Sequence, residues 1–214
     1  GDKTVTGHLW GLTADSTGVD HGQSAWGIKV NYPNDRINWS WGYSQIDENF
    51  NAALGFIPRR GIREHFANWR YRWRPESDLI RTVDSGVSGT LITDLDDEVE
   101  SRSLRFELIQ IGTEAGDEIG LDFSRQREVL VEPFEISDGV LLPVGDYGFD
   151  RFNIGLETSH GRPVSIGLAY TGGTFYSGTR DDYWAELQWR VSPNLFLGVE
   201  YEMNDVNLDE GDFI

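Results

Sequence analysis

The sequence predicts an all-β chain: an up-and-down antiparallel transmembrane β-barrel, present in part, with about eleven strands, short turns at one end and long loops at the other. Three observations carry that expectation. Apolar and polar residues alternate with period two through most of the 214 residues. Apolar residues at helical spacing are nearly missing. The connections between alternating segments take turns at being short and long.

The strands are read in chain order. Ile37, Trp39, Trp41 and Tyr43 alternate with Asn38, Ser40, Gly42 and Ser44. Ala67, Trp69, Tyr71 and Trp73 alternate with Asn68, Arg70, Arg72 and Arg74, so one face is apolar and the other cationic. Phe152, Ile154 and Leu156 alternate with Asn153, Gly155 and Glu157, and Val164, Ile166, Leu168 and Tyr170 with Ser165, Gly167, Ala169 and Thr171. Tyr183 to Val191 and Leu195 to Tyr201 repeat the pattern, with Glu186, Arg190, Glu200 and Glu202 on the polar side. Such a strand suits a soluble sandwich, whose apolar face covers a core, or a barrel in lipid, whose apolar face points outward.

The connections separate these readings. Short turns fall at 32–36, 74–78, 113–118, 159–163 and 191–194. Between them lie 14–23, 47–61, 94–98, 131–148 and 172–182, of which only "DLDDE" at 94–98 is brief. Short turns at one end and long loops at the other are the layout of a bacterial outer-membrane barrel, whereas Greek-key connections mix lengths. Aromatic placement agrees. Tyr32, Trp73 and Trp189 lie at the short-turn end, and Trp26, Tyr43, Phe66, Tyr170 and Tyr183 where strands meet long loops, as two interfacial girdles require.

Composition narrows function. A formal charge of -18 argues against nucleic-acid phosphates as partners. No apolar run approaches the roughly 20 residues of a spanning helix, and a mean hydropathy of -0.43 still suits a barrel with polar loops. Cysteine is absent, so there are no disulfides or thiolate metal sites. The segments 94–100 and 204–212 read as solvated acidic loops. The opening "GDKTV" shows no signal peptide, and the close "EGDFI" follows an acidic stretch; the expectation is a single barrel domain over 1–214, truncated at both ends.

The stretch "ENFNAALGFIPRRGIREHFANWRYRWRPESDLIR" resembles the barrel portion of a family of uncharacterised bacterial proteins. Those proteins join a module similar to family-nine carbohydrate-binding modules to a carboxy-terminal outer-membrane β-barrel of unknown function. Phe50, Asn51, Leu54, Gly55, Phe56, Pro58, Arg59 and Arg60 carry the resemblance, with the strand ending at Arg74 and Pro75. It spans about one sixth of the chain. It implies a late piece of the barrel, without the carbohydrate-binding module, and it carries over no catalytic residue.

Candidate binding residues follow from fold and charge. Arg59 and Arg60 in the loop "LGFIPRRG" offer paired guanidiniums to an anion, or fold over the barrel mouth and pair with loop acids. Arg70, Arg72, Arg190, Glu157, Glu186, Glu200 and Glu202 face inward, as a charged lumen or as a network filling it. No catalytic group is assigned: there is no GxSxG, P-loop or cysteine nucleophile, and the inward Ser40 and Ser44 have no histidine at a recognisable distance. No metal or cofactor is expected. Asp94, Asp96, Asp97 and Glu98 lack calcium-loop spacing, and His8, His21, His65 and His160 are scattered.

The expected role is therefore non-enzymatic: a bacterial outer-membrane barrel in contact with lipid that handles extracellular small solutes or glycans. The glycan part follows from the resemblance, with Phe175 and Tyr176 as exposed loop aromatics. The alternative is a soluble, secreted, sandwich-like carbohydrate-binding protein with Trp39, Trp41 and Tyr43 as core or platform.

Overall fold

The computed structural model of the chain describes residues 4–15, 18, 19, 21–52, 57 and 59–214. Among these the fold is all-β and antiparallel, and none is helical. The strands are β1 (Thr6–Thr13), β2 (Ser24–Tyr32), β3 (Ile37–Ile46), β4 (Ile62–Trp73), β5 (Ile80–Asp94), β6 (Val99–Thr113), β7 (Glu118–Leu130), β8 (Phe134–Ser137), β9 (Val140–Leu142), β10 (Gly145–Glu157), β11 (Val164–Phe175), β12 (Gly178–Ser192), β13 (Leu195–Leu208) and β14 (Gly211–Phe213). Twelve of them form one sheet in chain order, with β8 and β9 paired apart as a hairpin. The sheet is a meander with two free edges. Among the described residues β1 and β14 are not paired with each other, so no closed barrel is formed.

The strands are held by side chains that cap their turns. At the β2–β3 turn Asn34 accepts hydrogen bonds from the amides of Arg36 at 3.0 Å and Ile37 at 3.3 Å. Ser77 does the same for Leu79 and Ile80 before β5, and Thr113 for Asp117 beside Gly116, whose φ is 85°. These are the turns that proline, asparagine, serine and glycine form by local bonding. Three one-residue register shifts interrupt the β5–β6 pairing, at Ile80/Thr82 with the extra residue on β5 and at Asp84/Gly86 and Ile92/Thr93 with it on β6, as bulges that strengthen the local twist.

Several expectations change. The strand count is twelve in the sheet rather than eleven, because 204–212 is not a solvated loop: β13 runs to Leu208 and β14 returns from Gly211. The connection at 172–182 is not long, since β11 and β12 extend until only Tyr176 and Ser177 remain, with Tyr176 at φ 45°. Val99 and Glu100 likewise belong to β6. The region 131–148 contains the β8–β9 hairpin and the start of β10. A two-sheet sandwich is not formed: Trp41 stays 41% exposed instead of entering a core.

The remaining core is small and lies at the loop end. Val140 and Leu142 of β9 pack on Val206 and Leu208 of β13, with Leu130, Ile136, Phe175, Tyr176 and Phe213 against them. Phe149 joins through an edge contact with Phe175 and a tilted one with Tyr176. Phe175 and Tyr176 are therefore partly buried core residues and not exposed loop aromatics. The accessible surface of the chain is 13765 Å². A compact soluble chain of 24.2 kDa would expose about 10,000 Å². The excess is that of a sheet with little packed on either face.

Candidate functional site

The two faces of the sheet differ in chemistry, and cross-strand register makes each continuous. On one face Ile28 pairs Tyr43, Trp39 pairs Trp69, and Trp69 pairs Val87. Val87 pairs Phe106, Phe106 pairs Phe123, and Phe123 pairs Phe152. Ile154 then pairs Tyr170, Ile166 pairs Leu187, and Leu187 pairs Val199. An apolar band thus runs from β2 to β13, and most of its large side chains are exposed, Val199 at 69% among them.

The band has an upper limit. Toward the loop end the same face turns charged, with Arg125 bidentate to Asp150 and Arg127 to Asp146. Tyrosines mark the boundary: Tyr170 and Tyr183 have ring centroids 5.2 Å apart, and Tyr170 donates to Asp181 at 2.6 Å. Trp26, Tyr43 and His65 form a second cluster at that level, and Tyr32, Trp39, Trp69 and Tyr71 stack in pairs nearer the short turns. Phe66 departs from the expected girdle. It lies on the opposite face over Gly42, where an added Cβ would stand 2.0 Å from its ring.

The opposite face is polar and carries the residues predicted from alternation. Arg72 is bidentate to Asp84 at 2.8 and 2.9 Å, and Asp84 is only 4% exposed. Arg105 pairs with Asp122 across β6 and β7, and Arg151 with Asp182 at 2.8 Å. Glu200 accepts from the Trp184 indole at 2.8 Å, Glu186 from Gln188 at 2.7 Å, and Glu202 from Asn204 at 3.4 Å. Arg190 donates to the His160 carbonyl and lies over the Phe196 ring. The predicted residues do not converge on one point. Arg70 and Arg72 sit on β4, while Glu186, Glu200 and Glu202 gather on β12 and β13, with Glu186 directly across from Glu200.

Arg59 reaches from the long β3–β4 connection to the loop end of the same face. It donates to Ser101 at 3.2 Å and to Glu128 at 2.9 Å, so its acids belong to strands β6 and β7 and not to loops. Arg60 makes no hydrogen bond or ion pair among the described residues. Leu54, Gly55, Phe56 and Pro58, the rest of the motif, lie outside the described residues. Asp47 anchors the start of this connection by accepting from the Ser24 hydroxyl and amide, and those bonds hold its carboxyl below the ordinary range.

Sequence reading missed how this face is filled. Trp10 covers Gly27, Phe66 covers Gly42 and Trp184 covers Gly167, each ring standing where a Cβ would be. These are aromatic rings laid over glycines on a neighbouring strand, a device that fixes register. Glycine opposite an aromatic across two strands was the available signal, but it needs the pairing to be known. Among the described residues no group of three or more metal-ligating side chains forms, and no helix is long and apolar enough to cross a membrane. Comparison with protein-family models, with curated proteins and with solved structures finds no match to this chain.

Proposed function

We propose that the chain is a bacterial outer-membrane β-barrel element whose apolar face meets lipid and whose polar face lines the interior. The exposed apolar band carries this reading. Soluble monomers rarely expose contiguous apolar patches beyond a few hundred Å², yet here the band crosses β2 to β13 and is bordered by tyrosines and Arg–Asp pairs. A transmembrane barrel has such a band, flanked by aromatic girdles, over a polar interior.

Strand arithmetic supports closure. In a strictly alternating meander of twelve strands, β1 and β14 run in opposite directions, the relation antiparallel closure needs. Closure would also satisfy the edge amides and carbonyls, which lipid cannot. The role we infer is the handling of extracellular small solutes, with glycans suggested by the family resemblance alone. The acid side formed by Glu186, Glu200 and Glu202 and the arginine side on β4 give the interior its charge.

The test is expression followed by fractionation, gel mobility before and after heating, and conductance in planar bilayers with and without oligosaccharides. Outer-membrane fractionation with a heat-modifiable shift is expected. A protein that stays in the soluble fraction with unshifted mobility would overturn the membrane reading, and conductance equal to empty bilayers would overturn solute passage.

A further inference from the structure

Four arginines surround one recess of the polar face at the short-turn end. It measures about 500 Å³, within the range of small-molecule sites, and is lined by Arg70, Arg72, Arg74 and Arg81 with Thr82 and Asp84. We propose that this recess is an anion site that takes a phosphate group, free or as a phosphomonoester. The proposal stands apart from the membrane reading, because the recess opens on the polar face whichever medium the apolar face meets.

The arginines divide into two kinds. Arg72 and Arg74 are committed: the first is bidentate to Asp84, and the second to Asp35 at 2.9 and 2.8 Å. Their forks are held in place but already occupied. Arg70 and Arg81 make no hydrogen bond or ion pair among the described residues. Elsewhere on this face Arg105, Arg151 and Arg180 each have an aspartate. Arg81 is the extra residue of the bulge between Ile80 and Thr82, and its Nη2 lies 3.8 Å from where a Gly112 Cβ would stand. The bare backbone at 112 makes room for the Thr82 hydroxyl, 2.8 Å from that same point, and leaves the Arg81 guanidinium in ordinary contact beside it.

The carboxylates nearby do not fill the open forks. Asp84 and Asp35 are engaged with Arg72 and Arg74, and Glu118 accepts from the Gln110 amide at 2.9 Å. Glu107 is within electrostatic reach of Arg70 without a hydrogen bond to it. Asp84 and Glu118, which line the recess, together with Asp35 and Glu107 match the four arginines in formal charge, so net charge does not choose the ligand. The donors do. Two open planar forks and the Thr82 hydroxyl surround one space, and guanidinium forks match phosphate bidentately. A phosphate presents its terminal oxygens in a tetrahedral array, so two forks can each meet a pair of them, whereas a carboxylate serving two arginines, as Asp182 serves Arg151 and Arg180, gives each a single oxygen.

The experiment titrates inorganic phosphate, and in a second arm glycerol phosphate, into the full chain refolded in detergent micelles, with calorimetry as readout. Saturable binding of either is expected, the tighter arm telling free phosphate from ester. Each open fork lost removes a charge-assisted contact to the anion, so R81Q should weaken binding roughly tenfold and R70Q/R81Q roughly a hundredfold. Arg102→Gln, on the other face, should stay within about twofold. Should the double variant fail to fold, R81Q alone decides, since Arg81 is an exposed bulge residue. Absence of saturation in both arms, or equal affinity in R81Q, overturns the site.

Discussion

Arginine in place of Leu187 asks directly what the apolar face meets. Leu187 sits midway along the apolar run of β12, between Tyr183 and Val191, with Ile166 and Val199 across from it. Four residues on either side, at about 3.4 Å each, give roughly 27 Å along the strand. A strand tilt of about 40° shortens this to roughly 21 Å, close to the ~25 Å of a barrel's apolar band, with Leu187 at its middle. Arginine at the bilayer midplane costs about 2–4 kcal/mol, falling to about 0–1 near the interfaces. On a protein in water the same change at a side chain 46% exposed would stay within about 0.5 kcal/mol. Urea unfolding from phospholipid vesicles should therefore separate L187R, at ~3 kcal/mol, from V191R and Q188R, at ~1 or less. Equal and small costs at all three positions would refute the lipid-facing assignment.

Arg72→Ala leaves Asp84 buried without its partner and should cost about 3–5 kcal/mol. The double variant R72A/D84N should recover part of that in a double-mutant cycle, and an R72A cost below about 1 kcal/mol would show the pair to be dispensable. Gly42→Ala puts a methyl 2.0 Å from the Phe66 ring and should destabilise by about 1–3 kcal/mol. Gly155→Ala, whose nearest neighbour is a carbonyl at 3.8 Å, should be milder by the same unfolding assay. Acid should loosen the short-turn end. Asp117 accepts from the Ser159 amide and pairs with Arg162, which holds its carboxyl below the ordinary value. A depressed folded pKa contributes stability above the unfolded value, lost as pH falls through the folded one. Amide exchange at Ser159 should thus accelerate below about pH 4, and an Asp117→Asn variant should lack that step.

How much of this was legible in the chain depends on the range of the interaction. Alternation is a local property, because successive side chains point to opposite faces whatever the partner strand. The polar assignment of Arg70, Arg72, Glu186, Arg190, Glu200 and Glu202 therefore agrees with the register. So does the apolar assignment of Trp39, Trp41, Trp69 and Trp73. Turn chemistry at 32–36 and 113–118 is equally local. Strand ends were not, and 172–182 and 204–212 read as loops from their Gly and Asp content although pairing with neighbours carries all but the two-residue turns at 176–177 and 209–210 as strand.

By itself the sequence determined an antiparallel meander with one apolar and one polar face, since period-two alternation and turn residues act within a few positions. Only the tertiary structure decided which side chains meet across strands. It put Phe66 over Gly42, folded Leu142 of the β8–β9 hairpin onto Val206, carried Arg59 to Glu128, and left Arg70 and Arg81 open beside two committed arginines. Those outcomes depend on register and on loops returning over distant strands. Both are set by contacts between residues tens of positions apart, which no local pattern encodes.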